Sequence, residues 1–236
     1  MSERFFSREP IREQQFELDG DEAHHLLRVM RRQVGDEAIV FDNSEDEFRV
    51  RIVAATRSSA TLEVLERTRP ARELTGQLTV AAALPKGDRQ RFLVEKCVEL
   101  GVTRFIPLQT SRGVAESTPA AIARLQRYVI EAAKQSGRTR LMEIHPPQSS
   151  RQLFNDSTLL ATERWLADPS GTSSLSEMNG PAQTIAVGPE GGWTPEELAE
   201  ATAAGWRAVT LGARTLRVET AAVAAAAIAA QYLQAW

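Results

Sequence analysis

The sequence predicts a small β-barrel followed by an α/β domain with a mainly parallel sheet, and three observations carry that reading. Within residues 1–72, short β-branched runs and one helical run lie between turn signals, as in a small barrel. From Leu74 onward, apolar strand-like runs alternate with helical patterns, the mark of βαβ units. Near the C-terminus, two glycine-bearing turns each join an apolar run to a helix, which suits a ligand at the mouth of an α/β sheet.

In the first unit, Phe5-Phe6 reads as an edge strand or a core plug. Residues 21–30 read as a helix, with Leu26, Leu27 and Met30 at helical spacing. Residues 37–41, 47–54 and 60–66 read as strands, and Asp42-Asn43-Ser44 is turn chemistry. The aperiodic Pro70-Ala71-Arg72-Glu73 marks a linker, which gives domains of 1–72 and 73–236.

The second unit opens with an apolar strand over 78–84 and a turn at Pro85-Lys86-Gly87-Asp88. A helix over 89–100 is expected to bury Phe92, Leu93, Cys97 and Leu100 and to stop at Gly101. A strand over 105–108 precedes a long helix that Thr118-Pro119 starts and Gly137 ends. Short strands are expected at 142–145 and 158–162, one helical turn at 152–154, and a loop over 168–181. The run Thr184 to Val187 is β-branched and apolar, a buried strand. It enters Gly188-Pro189-Glu190-Gly191-Gly192, where glycine admits positive φ and close approach of a ligand. Thr194-Pro195-Glu196-Glu197 then spells a helix start with an N-cap, proline at the first position and a capping box. The second turn, 211–217, lies between the apolar run 206–211 and an alanine-rich helix from Glu219 to about Leu233. Alanine favours helix and lets backbones approach closely, either within the chain or across a dimer contact.

Bulk properties narrow the function. The chain has 236 residues, 42% hydrophobic and 25% charged, with a net charge of −3. That suits a soluble globular protein and gives no global field for nucleic acid, so RNA binding needs a local basic patch. No apolar run has membrane-spanning length, and the start lacks the apolar core of a signal peptide. The single Cys97 excludes an internal disulfide and a multi-cysteine metal site, and its apolar helix face suits packing rather than catalysis. These facts favour the cytoplasm. His24, His25 and His145 show no ligand spacing, so no metal is expected. Arg28, Arg31 and Arg32 form one basic cluster and Lys134 with Arg138 another; both also suit solvated helix ends. A Gly-Pro-Glu-Gly-Gly turn on its own also suits a tight loop without a ligand.

Taken jointly, the motifs resemble the ribosomal RNA small-subunit uracil-N3 methyltransferases, S-adenosylmethionine enzymes of the SPOUT superfamily. The matching pieces are His24-His25-Leu26-Leu27-Arg28-Val29-Met30-Arg31, Lys86-Gly87-Asp88, Lys96 with Glu99-Leu100-Gly101-Val102, and Lys134-Gln135-Ser136-Gly137-Arg138. The most specific are Val187-Gly188-Pro189-Glu190-Gly191-Gly192 and Leu211-Gly212 through Leu216-Arg217-Val218-Glu219-Thr220-Ala221. Ala213 departs from a frequent proline and Val218 from a frequent threonine, so Val218 takes no polar role.

The resemblance implies a PUA-like barrel over 1–72 that binds RNA and a SPOUT methyltransferase domain over 73–236 with a deep trefoil knot. It implies a homodimer that methylates N3 of a uridine in 16S ribosomal RNA of the small ribosomal subunit. S-adenosylmethionine is expected between the two C-terminal turns, against Gly188, Pro189, Glu190, Gly191 and Gly192 on one side. On the other side stand Leu211, Gly212, Leu216, Arg217, Thr220 and Ala221. Thr162 and Glu163, at the end of the expected strand 158–162, complete the rim. RNA is expected at Arg8, Arg28, Arg31, Arg32, Lys86 and Arg138. Arg217 is the candidate to stabilise charge developing on a uracil carbonyl. Glu219 either takes the N3 proton or caps the last helix. Competing readings are a SPOUT enzyme acting on a tRNA ribose 2′-hydroxyl and an RNA-binding relative without catalysis. The first lacks its Asn-x-x-x-x-x-Arg motif here; intact glycines at both turns oppose the second.

Overall fold

The computed structural model describes residues 4–113 and 118–234. The chain divides into two compact units, one of Met1–Glu73 with Ala133–Leu141, the other of Leu74–Ala132 with Met142–Trp236.

The first unit runs β1 (Arg4–Phe6), β2 (Gln15–Asp19), α1 (Gly20–His24), a π-helical turn (His25–Val29), β3 (Glu37–Phe41), β4 (Glu47–Ala55) and β5 (Ser59–Thr68). The sheet order is β1-β3-β4-β5-β2, antiparallel except for β1 beside β3. Its two outer strands do not pair with each other among the described residues, so the barrel expected from the sequence is an open half-barrel. Strict alternation shapes β4: Phe48, Val50 and Ile52 point inward, while Arg49 and Arg51 point out and pair with Glu37 at 3.0 and 3.2 Å. Phe5, Leu18, Leu26, Val40 and Leu62 fill the rest of that core. β2 carries little sequence signal, because only Phe16 and Leu18 mark its inner face among polar neighbours.

Residues 133–141 complete this unit through ion pairs. Lys134 Nζ donates to both Glu22 oxygens at 3.0 and 3.1 Å, and Arg138 holds Glu73 Oε2 at 2.8 Å. Arg4 donates to the carbonyls of Ala133 and Arg138, both at 2.9 Å. The Arg138 side chain is only 4% exposed. This corrects its expected role: its guanidinium serves the interior and is not presented to RNA.

The second unit runs β6 (Gln77–Ala83), α2 (Arg89–Glu99), β7 (Arg104–Gln109), α3 (Pro119–Ser136), β8 (Glu143–Ile144), β9 (Gln148–Ser149) and α4 (Ser150–Phe154). It continues with β10 (Glu163–Ala167), β11 (Ala182–Val187), α5 (Pro195–Ala203), β12 (Arg207–Val209) and α6 (Val218–Leu233). All of its strands are parallel, in the order β12-β10-β11-β6-β7-β8, with β9 also on β7. β6 and β11 are buried almost throughout, as central strands covered on both faces must be. On one face Ala81, Ile106, Leu166 and Ala186 meet Leu153, Phe154, Trp193 and Trp206 around α4 and α5. On the other, α6 packs against β6, β11 and α2. Ala222, Ala225, Ala226 and Ala229 are fully buried there, so the alanine stripe serves contacts within the chain.

The expected strand over 158–162 is a 3-10 turn (Ser157–Leu159), and the strand begins at Glu163. Asp156 caps that turn by accepting from the Thr158 amide at 2.9 Å, and Leu160 is 66% exposed. Local turn chemistry thus outweighs the apolar Leu159-Leu160 pair.

The end of α6 is fastened to the start of β6, where the Thr75 amide and hydroxyl donate to the Leu233 carbonyl at 2.9 and 2.7 Å. A Cβ on Gly76 would lie 2.3 Å from the Pro181 carbonyl oxygen and 2.5 Å from Leu233 Cδ2. Gly76→Ala is therefore expected to cost about 1–3 kcal/mol, read as a lower urea midpoint. An unchanged midpoint would show that this docking yields without strain.

Candidate functional site

β10, β11 and β12 end at one edge of the second sheet, and a cleft forms where their carboxyl ends meet the loops that follow. It encloses about 650 Å³ of non-protein space, counting its open mouth. The topology makes this cleft. After β12, at the edge beyond β10, the chain turns back to place α6 over β11 and β6. Loop 210–217 therefore passes above the turn that leaves β11.

That first turn is rigid. The Gly192 amide donates to the Pro189 carbonyl at 2.9 Å, and Gly192 holds φ +69°. At Gly188 a Cβ would meet the Trp193 ring at 2.9 Å, so glycine is required for the indole to lie under the turn. Trp193 Nε1 in turn donates to the Ala167 carbonyl at 3.0 Å, tying the ends of β11 and β10 together. Arg112 donates to the Gly191 carbonyl at 2.7 Å. The second turn pivots on Gly212 at φ +110°, whose amide donates to Thr210 Oγ1 at 3.2 Å.

The capping box expected at Thr194 is present and does more than cap. Glu197 Oε2 accepts from the Thr194 amide at 2.9 Å. Its Oε1 accepts from the Ser111 amide at 3.2 Å and from Ser150 Oγ at 2.9 Å, so one buried carboxylate joins the loop after β7, the start of α4 and the start of α5. Burial pushes this carboxyl up, but the hydrogen bonds from Thr194, Ser111 and Ser150 outweigh it and hold it below the ordinary range.

Of the residues expected to hold a cofactor, Gly188, Pro189, Glu190, Gly192, Leu211, Gly212, Leu216 and Ala221 line the cleft. Gly191 does not; it faces Arg112, whose Cβ lies 3.2 Å from where its own would stand. Arg217 and Thr220 are exposed and also lie outside the lining, because the start of α6 turns Val218 and Ala221 inward instead. Thr162 and Glu163 are at the opposite end of β10. Thr162 bonds Thr184 Oγ1 at 2.9 Å, and Glu163 accepts from Gln183 at 2.8 Å. The rim expected there is formed by Ala167, Asp168 and Pro169, which follow the strand rather than precede it.

Glu219 is buried in the first turn of α6, and its Oε2 has no hydrogen-bond partner among the described residues. Arg89, which no motif singled out, stands beside it. Arg89 Nη1 lies 3.3 Å from Glu190 Oε1 and 3.6 Å from Glu219 Oε2. Cys97 is fully buried and its thiol is pushed up to about 12 by burial, in keeping with a packing role. No group of three or more His, Cys, Asp or Glu able to hold a metal occurs among the described residues. The remaining basic candidates Arg8, Arg28, Arg31 and Lys86 are exposed, and Arg32 is half-buried. Arg31 takes φ +56°, and the Arg32 amide closes the turn onto the Leu26 carbonyl at 3.1 Å.

Known proteins resemble this chain in sequence and in fold. A family model for an RNA methyltransferase domain matches residues 72–230, and one for an RNA methyltransferase PUA domain matches residues 18–65. The ribosomal RNA small subunit methyltransferase E of Synechocystis is 36% identical over 225 residues, covering 93% of this chain and 74% of that one. Its Bacillus subtilis namesake is 31% identical over 219 residues, covering 87% and 86%. Among solved structures, the ribosomal RNA small subunit methyltransferase E from Neisseria gonorrhoeae, bound to S-adenosyl methionine, superposes with a TM-score of 0.91 at 32% identity over 99% of this chain and 98% of that one.

Glu197 yields a pH test. A carboxyl held low in the fold stabilises it above the unfolded value near ~4.3 and loses that contribution as pH falls through the folded value. At pH 7, Glu197→Gln is expected to lower stability by about 1–3 kcal/mol, and the gap from wild type should close in acid. Urea midpoints across a pH series measure this; a gap independent of pH would count against the ionised clamp.

Proposed function

The chain belongs to the ribosomal RNA small subunit methyltransferase E family, and we propose that it transfers a methyl group from S-adenosylmethionine to N3 of a uridine in 16S ribosomal RNA. The observation that carries this reading is the pair of facing turns. At Gly192 and Gly212 no atom beyond the adjoining residues lies within 4 Å of where a Cβ would stand. Between residues 211 and 216, only Gly212 has its backbone hydrogen-bonded within the protein among the described residues. Bare amides and carbonyls beside an apolar floor of Val187, Leu216, Val218 and Ala221 suit an adenine edge and a thioether-like chain. Gly188, Pro189, Glu190, Gly192, Leu211, Gly212 and Leu216 are thus the residues assigned to hold the cofactor.

When bound, the cofactor supplies a methyl carbon on a sulfonium; N3 gains it as the carbon–sulfur electron pair stays with sulfur, and the N3 proton is lost to solvent. The protein's task is then positioning and charge stabilisation. The uridine must be unpaired, since Watson–Crick pairing hides N3. Glu219, buried at a helix N-terminus, is assigned to the dipole of α6 and to the anchoring of Arg89. Arg217 is exposed at the mouth and is assigned to the RNA strand outside the cleft.

Residues 1–72 are assigned to RNA and residues 73–236 to catalysis. On the first, Arg8, Arg28, Arg31 and Arg32 supply the positive charge that a chain of net charge −3 lacks as a whole, and Lys86 adds to it on the second. The return of the chain from β12 to α6 over the β11 turn supports the knotted path of the SPOUT superfamily. Phe92 on α2 and Ile228 and Tyr232 on α6 are 46%, 38% and 46% exposed on elements that pack together, which supports a homodimer through that face. No helix among the described residues is long and apolar enough to cross a membrane, in keeping with a cytoplasmic enzyme acting on the small ribosomal subunit.

The decisive test is mass mapping of ribosomal RNA after incubation with enzyme and labelled cofactor. A methyl on uracil N3 is expected; a methyl on a ribose oxygen or on C5 would overturn the assigned chemistry. The RNA surface has its own test. Replacing Arg31 and Arg32 with alanine should weaken RNA binding and reduce the salt slope by roughly 1–2 units while cofactor affinity holds. An unchanged slope would return both arginines to a solvated helix end.

A further inference from the structure

We propose that Arg89 contacts the uracil base and stabilises the negative charge that its ring carbonyls take up as N3 loses its proton. This rests on the reaction proposed above and adds to it a residue that no motif marks.

Arg89 is the first residue of α2 and follows β6, the strand beside β11 in the parallel sheet. The turns leaving β6 and β11 therefore open at the same edge, and Arg89 reaches Glu190 on the wall of the cleft. Its guanidinium is fixed from two sides. Glu190 Oε1 accepts from Nη1 at 3.3 Å, and Glu219 Oε2 lies 3.6 Å from that same nitrogen. At 3.6 Å the second contact is an ion pair without a hydrogen bond, which leaves a carboxylate whose side chain is 7% exposed with an orphaned oxygen. Such an arrangement is costly inside a protein unless a further donor arrives.

The guanidinium also has capacity to spare. Its Nε and Nη2 have no partner among the described residues, and its side chain is 36% exposed. An arginine used through one nitrogen, braced by two carboxylates and open on its remaining fork, is preorganised to donate in a plane. The ring carbonyls flanking N3 of uracil are planar acceptors that become more basic as the proton leaves. A donor fixed before that moment stabilises the developing charge without reorganising. Arg217 lacks these features: it is exposed, no carboxylate braces it among the described residues, and its side chain makes no cap hydrogen bond.

The test compares wild type, Arg89→Met and Arg89→Lys by calorimetry with S-adenosylmethionine, by anisotropy with an RNA fragment carrying the target uridine, and by turnover with product mapping. Removing a preorganised donor should lower kcat by on the order of 10²-fold in Arg89→Met, with cofactor and RNA affinities changed by no more than about threefold. If Arg89→Met fails to fold because Glu219 is left buried and unpaired, Arg89→Lys keeps the charge without the fork and should still lose about tenfold in kcat. Full turnover in the variants would overturn the proposal. So would a loss that follows cofactor affinity, since Arg89 would then hold the cofactor or shape its wall through Glu190. Mapping on wild type keeps the two claims apart: a methyl away from N3 defeats the reaction, whereas N3 methylation with indifferent Arg89 variants defeats only the role of Arg89.

Discussion

The close approach of α6 to the sheet is the constraint on which the site depends. Ala222, Ala225, Ala226 and Ala229 are fully buried, and only side chains of that size let a helix lie so near β6 and β11. The helix starts where the chain has just crossed back from β12, so its depth sets the height of loop 210–217 above the β11 turn. Val218 and Ala221 reach the cleft because the helix is seated low. A larger residue in the stripe would act on the cleft from a distance, by lifting its roof rather than by touching anything bound there.

Behind the cleft, polar groups rather than apolar contacts set the loops. Glu197 gathers Thr194, Ser111 and Ser150, and Arg112 holds the Gly191 carbonyl. The indole of Trp193 spans from the Gly188 turn to the end of β10. Each of these groups has its partners supplied, which makes the contrast with Glu219 informative: its Oε2 is without a hydrogen bond in a region where the other carboxylate is fully engaged.

What the sequence made legible was local. Gly188 to Gly192 and Thr194 to Glu197 write turn and cap within a few residues, and the structure has both as read. The alternation of β4 and the apolar runs of β6 and β11 were equally plain. What failed depended on register or on distant partners. The strand β10 begins at Glu163, five residues after the expected 158, because the Asp156 turn claims Leu159; the rim is accordingly Ala167, Asp168 and Pro169 rather than Thr162 and Glu163. An Asp168-Pro169-Ser170-Gly171 turn after the strand was the signal that would have found it. Arg138 looked like a surface cation because Glu73 lies 65 residues away in sequence. Arg89 gave no signal at all, since an arginine at a helix start is ordinary until Glu190 and Glu219 are seen beside it.

The assignment of residues 133–141 to the first unit has a consequence for how the chain is made. Glu22 and Glu73 face cations, Lys134 and Arg138, that leave the ribosome some sixty or more residues after the half-barrel's last strand ends at Thr68. Until then these carboxylates lack their partners and Arg4 lacks the carbonyls of Ala133 and Arg138. The N-terminal unit therefore matures only after much of the sheet that follows it has been synthesised. A fragment ended at residue 73 would carry the strands without the charges that close them, so the first unit is continuous in space but interrupted in sequence.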